Sequence, residues 1–314
     1  MNHRCFLGLA LALVVLIFAS AGSNGQLRAQ TPPSPGEPQQ ILLWQETPPH
    51  AGGQEAADQP RLMLYRAAAA QPTAAIVILP GGGYGHLALE HEGKEIAAYF
   101  NRLGITAATC IYRHRGAGNA GSGYGHPVPL LDASRAVRTL RANAAQWNID
   151  PARIGIIGFS AGGHLASTVS THFDLGQSDS PDPVERVSSR PDFAILAYPV
   201  ISLGQPHTHR GSQRNLLGDN PDEQLVRSLS NENAVTDQTP PTFLFHTAED
   251  KAVPAENSLT YFSALLRHGV AAELHVFQSG RHGIGLAAEH GDASAWPRLC
   301  AQWLRSHQII RPAE

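Results

Sequence analysis

The chain has 314 residues, of which 42% are hydrophobic and 16% charged, and this length is enough to bury one substantial core. The formal net charge of −3 excludes a broad basic field that would attract nucleic acid or an acidic membrane, so neither is expected as a partner. The three cysteines form no C-x-x-C pair, so neither a zinc ribbon nor a thioredoxin-like redox site is supported.

The N-terminus carries the features of an export signal. Arg4 precedes the apolar run 9–19, which is shorter than a membrane span needs, and the small residues 19–21 (ASA) form a cleavage site. We predict a signal peptide over 1–21 and an exported protein, periplasmic or secreted. The alternative is an uncleaved N-terminal anchor. After cleavage we expect no stable association with a membrane.

A linker and one folded domain follow the signal. Residues 22–40 are rich in Pro, Ser, Gly and Gln and lack the apolar content to order themselves, so they are predicted to form a flexible linker. Folded sequence is expected to begin near 41–44 (ILLW), and we predict a single domain over 41–314.

Strands and helices alternate along this domain. This alternation predicts an α/β fold with a mostly parallel sheet covered on both faces. Two segments interrupt it: the glycine-rich loop 116–126 and the polar segment 201–239, predicted to be a small insertion over the active site. The strands are expected at 61–65, 74–79, 105–112, 153–158, 193–198, 242–246 and 272–277, and the helices at 92–103, 130–147, 163–169, 255–268 and 293–307.

Two cysteines fall within this domain. Cys110 lies in a predicted strand and Cys300 in a predicted helix, whereas Cys5 is expected to leave with the signal. We predict two separate buried thiols. A disulfide between them is the alternative, because export would permit one.

The most informative motif is G-x-S-x-G at 158–162. It follows an apolar strand pattern and precedes a helix pattern, and a serine on such a sharp turn has its hydroxyl above the edge of the sheet. We therefore predict that Ser160 is a nucleophile. The alternative is an ordinary strand-to-helix turn whose serine caps the helix.

A serine nucleophile needs a histidine base and an acid that orients it. In the α/β-hydrolase arrangement the acid and the histidine follow the serine in that order. Glu249 and Asp250 both follow a predicted strand. We favour Asp250, because the D-x-x-V-P pattern puts it at the head of the next helix. The alternative is that Asp250 only caps this helix. His282 lies between glycines after the last strand and is the predicted base.

A glycine loop follows an earlier strand, at 79–85 (LPGGGYG). Such a loop lets backbone N–H groups approach the oxyanion of a tetrahedral intermediate. We predict that Gly82 or Gly83 supplies one donor and that Ala161, next to the nucleophile, supplies the other. A phosphate-binding loop is not supported, because neither G-K-[S/T] nor G-x-G-x-x-G is present.

The remaining aromatic and histidine residues are less informative. Tyr84, Phe159 and Tyr198 lie near the predicted site, and either stack on a sugar or aryl acyl group or belong to the core. The pair His207 and His209 forms H-x-H, for which a solvated loop is favoured over a metal site. No metal and no cofactor is expected. His164, four residues after Ser160, is expected to pack rather than to act in catalysis.

Taken together, the motifs resemble the exported bacterial α/β-hydrolases grouped with acetylxylan and feruloyl esterases, the BD-FAE-like family. The resemblance covers roughly 60–307. The matching stretches are 80–85 (PGGGYG), 147–155 (WNIDPARIG), 158–166 (GFSAGGHLA), 198–200 (YPV), 215–218 (NLLG), 230–232 (SNE), 240–243 (PPTF) and 253–258 (VPAENS).

The resemblance implies an α/β-hydrolase fold and a serine esterase that works through an acyl-enzyme. The implied substrates are acetyl or feruloyl esters on plant cell-wall carbohydrate. Two alternatives stay open: a peptidase or amidase like the prolyl oligopeptidases, and a non-catalytic carbohydrate-binding module on a hydrolase fold. Some relatives carry a xylanase name, but we see no pair of carboxylates flanking a sugar cleft beside Ser160. The oligomeric state is left open.

Overall fold

A computed structural model describes residues 37–311, together with Met1. The predicted signal peptide and most of the predicted linker lie outside the described residues. The first strand includes Gln39 and Gln40, which the sequence assigns to the linker. All elements described below belong to one compact unit, Pro33–Glu314.

The described part of the chain forms one sheet of eight strands in the order β1-β2-β4-β3-β5-β6-β7-β8. The first two strands pair antiparallel, as do the second and fourth, and all other pairs are parallel. The strands are β1 (Gln39–Leu42), β2 (Arg61–Tyr65), β3 (Thr73–Leu79), β4 (Thr106–Ile111), β5 (Ile149–Phe159), β6 (Ala194–Ala197), β7 (Thr242–Thr247) and β8 (Ala272–Phe277).

The helices pack on both faces of this sheet. The predicted helix over 130–147 is interrupted at Asn143, whose side-chain amide donates to the carbonyl oxygen of Thr139 at 2.8 Å. The helices are α1 (Glu95–Arg102), α2 (Val128–Ala142), α3 (Ala144–Trp147), α4 (Ala161–Thr171), α5 (Arg210–Leu217), α6 (Glu223–Ser228), α7 (Glu256–Arg267) and α8 (Trp296–Ser306).

The strand β3 shows why both faces are covered. Its seven residues are all buried, and alternate side chains point to opposite sides of the sheet. Val77 belongs to the apolar cluster that includes residues of α2, α4 and α7, whereas Ile76 and Ile78 belong to the cluster that includes residues of α1 and α8. A strand that is apolar on both sides needs a helical layer on each, and the predicted fold class is confirmed.

The two cysteines lie in different layers. Cys110 belongs to the core on the α2 side and Cys300 to the core on the α8 side, and both are buried free thiols. The prediction of two separate thiols is confirmed, because the sheet lies between them.

The two interrupting segments contain little strand. The loop 116–126 is irregular apart from a single 3₁₀ turn, Asn119–Gly121. The segment 201–239, predicted to lack strands, folds into α5 and α6 and a 3₁₀ turn, Asn231–Asn233. Among the described residues, no helix combines the length and the apolar character that crossing a bilayer requires.

Candidate active site

Ser160 lies on the sharp turn between β5 and α4. Its backbone has φ 54° and ψ −120°, a strained conformation for a residue with a side chain. The neighbouring glycines make the turn feasible. A Cβ on Gly158 would lie 2.0 Å from the carbonyl oxygen of Gly162, and one on Gly162 would lie 2.1 Å from that of Leu79. Only glycine fits at either position.

The structure brings Ser160, His282 and Asp250 into one hydrogen-bonded row. Nδ1 of His282 lies 2.6 Å from Oδ2 of Asp250, and Nε2 lies 2.7 Å from Oγ of Ser160. A carboxylate only accepts, so Nδ1 carries the proton and Nε2 accepts from the serine hydroxyl. The three residues follow β5, β7 and β8, whose carboxyl ends meet at one edge of the sheet.

The acid of the row is buried and firmly held. Oδ1 of Asp250 accepts the N–H groups of Ala252 and Val253 at 3.0 and 2.9 Å, and Nε2 of His246 lies 3.5 Å from Oδ2. Burial would raise the pKa of Asp250. The hydrogen bonds from His246 and His282 and the charge of His282 outweigh it and hold the pKa well below its usual range. Asp250 is therefore an anion at neutral pH.

Glu249 does not take part in this row. Its side chain is exposed and makes only long contacts of 3.4 Å, with the hydroxyl of Ser279 and the N–H of Gly280. Of the two carboxylates that the sequence offered, only Asp250 reaches the histidine.

The glycine loop after β3 leaves backbone donors free near Ser160. Gly82 and Gly83 have φ of 128° and 62°, and a Cβ on Gly82 would lie 2.1 Å from the carbonyl oxygen of His86. Within residues 37–311, the N–H groups of Gly82, Gly83 and Ala161 have no hydrogen-bond acceptor. These amides are available to an oxyanion.

A buried carboxylate, Glu92, joins the loops around the site. Its Oε2 accepts the N–H of Gly81 at 2.8 Å, and its Oε1 accepts the hydroxyl of Tyr198 at 2.8 Å. That hydroxyl in turn accepts the N–H of Gly285 at 2.9 Å, in the loop that carries His282. Glu92 thus connects the glycine loop to the histidine loop.

The sequence did not single out Glu92. It lies in a π-helical turn, Glu90–Lys94, where the sequence predicts the start of an ordinary helix. Its partner Tyr198 is far away along the chain, so no local sequence pattern predicts their contact.

The substrate contact that the sequence allowed for Tyr84, Phe159 and Tyr198 is not supported: of the two alternatives, stacking on a substrate or belonging to the core, the structure supports the core. All three are at most 1% exposed, so no ligand can reach their rings. Tyr198 instead packs edge-on beneath His282, with ring centroids 5.1 Å apart. The hydroxyl of Tyr84 bonds to Nδ1 of His164 at 2.8 Å. Phe159 ends the strand β5, whereas Tyr84 and Tyr198 lie in the loops after β3 and β6, and all three rings belong to the buried core.

His164 packs in the core, as its position predicts. Its Nε2 donates to the carbonyl oxygen of Leu229 at 2.8 Å, so Nδ1 accepts from Tyr84. Burial, assisted by nearby histidines and opposed by the bond to Leu229, lowers the pKa of His164 to about 4. The ring is neutral at physiological pH and links α4 to the segment 201–239.

The pair His207 and His209 does not assemble a metal site. In the described part of the chain, no group of three or more His, Cys, Asp or Glu side chains is arranged to hold a metal ion. The ring of His209 caps α5 by accepting the N–H of Ser212.

A cleft of about 560 Å³ opens beside His282. Its rim is polar and charged, and it is lined by Glu249, Lys251, Ala252, Gly280, Arg281 and His282. The cleft borders the histidine of the row, but neither Ser160 nor the glycine loop is among the residues that line it.

This geometry agrees with a comparison against known families. The family model described as BD-FAE matches residues 62–265, which is more than half of the chain. The chain belongs to the BD-FAE family. The resemblance that the motifs indicated is therefore confirmed, and it takes in the nucleophile turn and the glycine loop, as well as Asp250.

Several solved structures share the fold of this BD-FAE domain. An acetyl ester-xyloside bifunctional hydrolase from Caldicellulosiruptor lactoaceticus is 46% identical, with a TM-score of 0.83, and the match covers 88% of this chain and 98% of that one. An enzyme from a deep-sea metagenome library, described as an alpha/beta hydrolase, is 26% identical with a TM-score of 0.61, over 87% and 97% of the two chains. The fold is that of the α/β-hydrolases.

Curated BD-FAE relatives are similar over part of their length. An acetylxylan esterase from Xylanibacter ruminicola is 37% identical over 236 residues, which is 74% of this chain and 45% of that protein. Endo-1,4-beta-xylanase B from Butyrivibrio fibrisolvens is 39% identical over 212 residues, 68% of this chain and 32% of that protein. The chain thus spans between a third and a half of these two relatives.

Proposed function

We propose that this protein is a serine esterase that removes acetyl groups from plant cell-wall carbohydrate. The observation that carries the proposal is the row of hydrogen bonds from Asp250 through His282 to Ser160. A nucleophile, a base and an orienting acid in this order are the groups that acyl transfer needs.

In this mechanism the hydroxyl oxygen of Ser160 attacks the ester carbonyl, and His282 takes the serine proton. The negative oxygen of the tetrahedral intermediate is held by the N–H of Ala161 and that of Gly82 or Gly83. His282 then gives its proton to the leaving sugar oxygen, and an acetyl-enzyme remains. Water, deprotonated by His282, attacks this ester, and His282 returns the proton to the oxygen of Ser160 as acetate leaves.

Asp250 keeps His282 in the tautomer that can accept the serine proton. Its depressed pKa keeps it anionic, so it also stabilises the imidazolium that forms during each step. No step of the scheme requires a metal or a cofactor.

Relatives support carbohydrate acetate as the substrate. The name of the Xylanibacter protein refers to acetylxylan, and that of the Caldicellulosiruptor protein refers to acetyl esters and to xylosides. Export through the predicted signal peptide over 1–21 suits such a substrate, because plant polysaccharide lies outside the cell. We propose a periplasmic or secreted location on this basis.

Replacement of the nucleophile tests the proposal. Ser160→Ala should lower the hydrolysis of p-nitrophenyl acetate and acetylated xylan by about 10⁴-fold or more and abolish labelling by a fluorophosphonate. Ser279→Ala, an exposed serine in the loop before His282, serves as the control and should keep both. Hydrolysis by Ser160→Ala at the wild-type rate would disprove the scheme. Cleavage of aminoacyl nitroanilides without cleavage of esters would favour a peptidase.

A second candidate, cleavage of xylosides, rests on the name of the Caldicellulosiruptor neighbour. Glycosidases use two free carboxylates. Beside Ser160 the buried carboxylates are Glu92 and Asp250, and both are engaged by protein donors. We therefore expect p-nitrophenyl xyloside to be a much poorer substrate than p-nitrophenyl acetate. Equal rates, unaffected by Ser160→Ala, would establish a separate glycosidase.

A further inference from the structure

We propose that the Nε2–H group of His209 binds a free hydroxyl beside the scissile ester, so that the enzyme selects acetyl esters of sugars and other polyols. This inference rests on the proposed esterase function and narrows its substrate class. The sequence offered His209 only as half of an H-x-H pair in a solvated loop.

The position of the proton on His209 follows from its role as a helix cap. Nδ1 accepts the backbone N–H of Ser212 at 3.3 Å and lies 2.7 Å from its hydroxyl. A ring nitrogen that accepts from an N–H carries no proton, so in the neutral ring the proton resides on Nε2. Because Ser212 is buried at the start of α5, the ring is held in one orientation.

The donor on the other side of the ring is available to a ligand. Within residues 37–311, Nε2 of His209 has no hydrogen-bond partner, and the side chain is only half-buried. A donor on a fixed, half-buried ring can bind water or a ligand, and it has no role in the fold of the described residues.

The ring of His209 lies close to the predicted oxyanion loop. Its Cε1 lies 3.8 Å from the position that a Cβ on Gly83 would occupy, so the ring borders the glycine loop. It is also near enough to His282 and Asp250 for their charges to act on it. Burial, followed by the charge of His282, lowers the pKa of His209, while Asp250 opposes this. The ring is therefore a neutral donor at pH 7.

A neutral donor at this place suits a hydroxyl oxygen. Tyr84, Phe159 and Tyr198 are buried and offer no face to a sugar ring, so these three rings do not recognise the alcohol part of the substrate. A partly acetylated sugar carries a free hydroxyl on a carbon adjacent to the one that bears the acetyl ester, whereas a simple alkyl acetate has none. Binding that hydroxyl would favour the sugar ester.

Two substitutions distinguish the role of His209 as the cap of α5 from its proposed contact with a substrate hydroxyl. His209→Asn keeps a good N-cap residue for α5 but has no donor at the position of Nε2. His209→Gln keeps an N–H donor of similar reach. His207→Asn, two residues earlier, is the matched control, because within residues 37–311 the His207 backbone oxygen accepts from Asn257 and its buried Nε2 makes no hydrogen bond.

The probes are two small esters with alcohols of three carbons, glycerol monoacetate and propyl acetate. We expect the wild type to prefer the glycerol ester. The ratio of their kcat/KM values should fall about fivefold to tenfold in His209→Asn, as expected for one neutral hydrogen bond. The ratio should recover at least partly in His209→Gln and stay at the wild-type value in His207→Asn.

The outcomes distinguish this inference from the proposed function. An unchanged ratio in His209→Asn, or an equal loss on both esters, would overturn the inference and leave the esterase proposal standing. An equal loss would mean that His209 acts on the oxyanion or on the fold. A wild type that hydrolyses neither ester nor acetylated xylan would overturn the esterase proposal, and this inference with it.

Discussion

Asp250 and His282 are 32 residues apart in the chain, yet Oδ2 of one lies 2.6 Å from Nδ1 of the other. The two residues follow the neighbouring parallel strands β7 and β8, and this pairing brings the loops together. The acid is fully buried, whereas the side chain of the histidine is 23% exposed. The row therefore has a fixed, anionic inner end and an outer end that substrate can reach.

Removing the negative charge of the acid should stop catalysis without unfolding the protein. Asp250→Asn keeps the shape but donates where Nδ1 of His282 needs an acceptor, so the histidine adopts the wrong tautomer. We expect kcat on p-nitrophenyl acetate to fall by about 10³- to 10⁴-fold. Glu249→Gln, the exposed neighbour, should keep the wild-type kcat. If Glu249→Gln is the more damaging change, the acid has been misassigned.

Glu92 and Tyr198 should behave as one unit. Glu92→Gln puts an N–H₂ group against one of its two donors, and Tyr198→Phe leaves Glu92 and the N–H of Gly285 each one partner short. We expect either substitution to lower the free energy of unfolding by about 1–3 kcal/mol and to lower kcat. Urea denaturation of both single variants and the double variant measures the coupling. The double variant should lose clearly less than the sum, and strict additivity would disprove the link.

The two glycines of the predicted oxyanion loop should differ in their tolerance of a side chain. A Cβ on Gly82 meets the carbonyl oxygen of His86 at 2.1 Å, whereas one on Gly83 has its nearest neighbour at 3.8 Å. Gly82→Ala should move the loop and lower kcat on p-nitrophenyl acetate by about 10²- to 10³-fold. Gly83→Ala carries only the strain of a positive φ, about 1–2 kcal/mol, and should lose far less activity. Circular dichroism checks the fold, and equal losses would contradict the geometry.

The neutral, buried ring of His164 should make stability depend on pH. Its pKa is about 4 in the folded state against 6.5 for the ordinary side chain, so the unfolded chain binds a proton that the folded chain does not. The contribution of this ring to the free energy of unfolding is complete above pH 6.5. It is lost as the pH falls towards 4, by up to about 3 kcal/mol. In His164→Gln the free energy of unfolding should decrease less steeply as the pH falls. Urea midpoints at pH 7, 6 and 5 test this, and parallel curves would argue against it.

The sequence by itself determined the features that depend on short stretches of chain. The turn around Ser160 needs glycine at 158 and 162 because backbone oxygens fill the space of a side chain, and that requirement is visible as G-x-S-x-G. The alternation of strands and helices predicted the parallel sheet. The D-x-x-V-P pattern favoured Asp250 over Glu249, and its carboxylate does accept the N–H of Val253.

Only the tertiary structure decided which side chains face the site and which lie beneath it. Tyr84 and Tyr198 follow the strands β3 and β6, where the sequence allowed a substrate contact, but packing against distant segments buries them. Glu92 reaches Tyr198, and His209 borders Gly83, across long separations in the chain. Local patterns report the conformation of a segment. They do not report which distant segments meet, because that depends on how the strands pair and the helices pack.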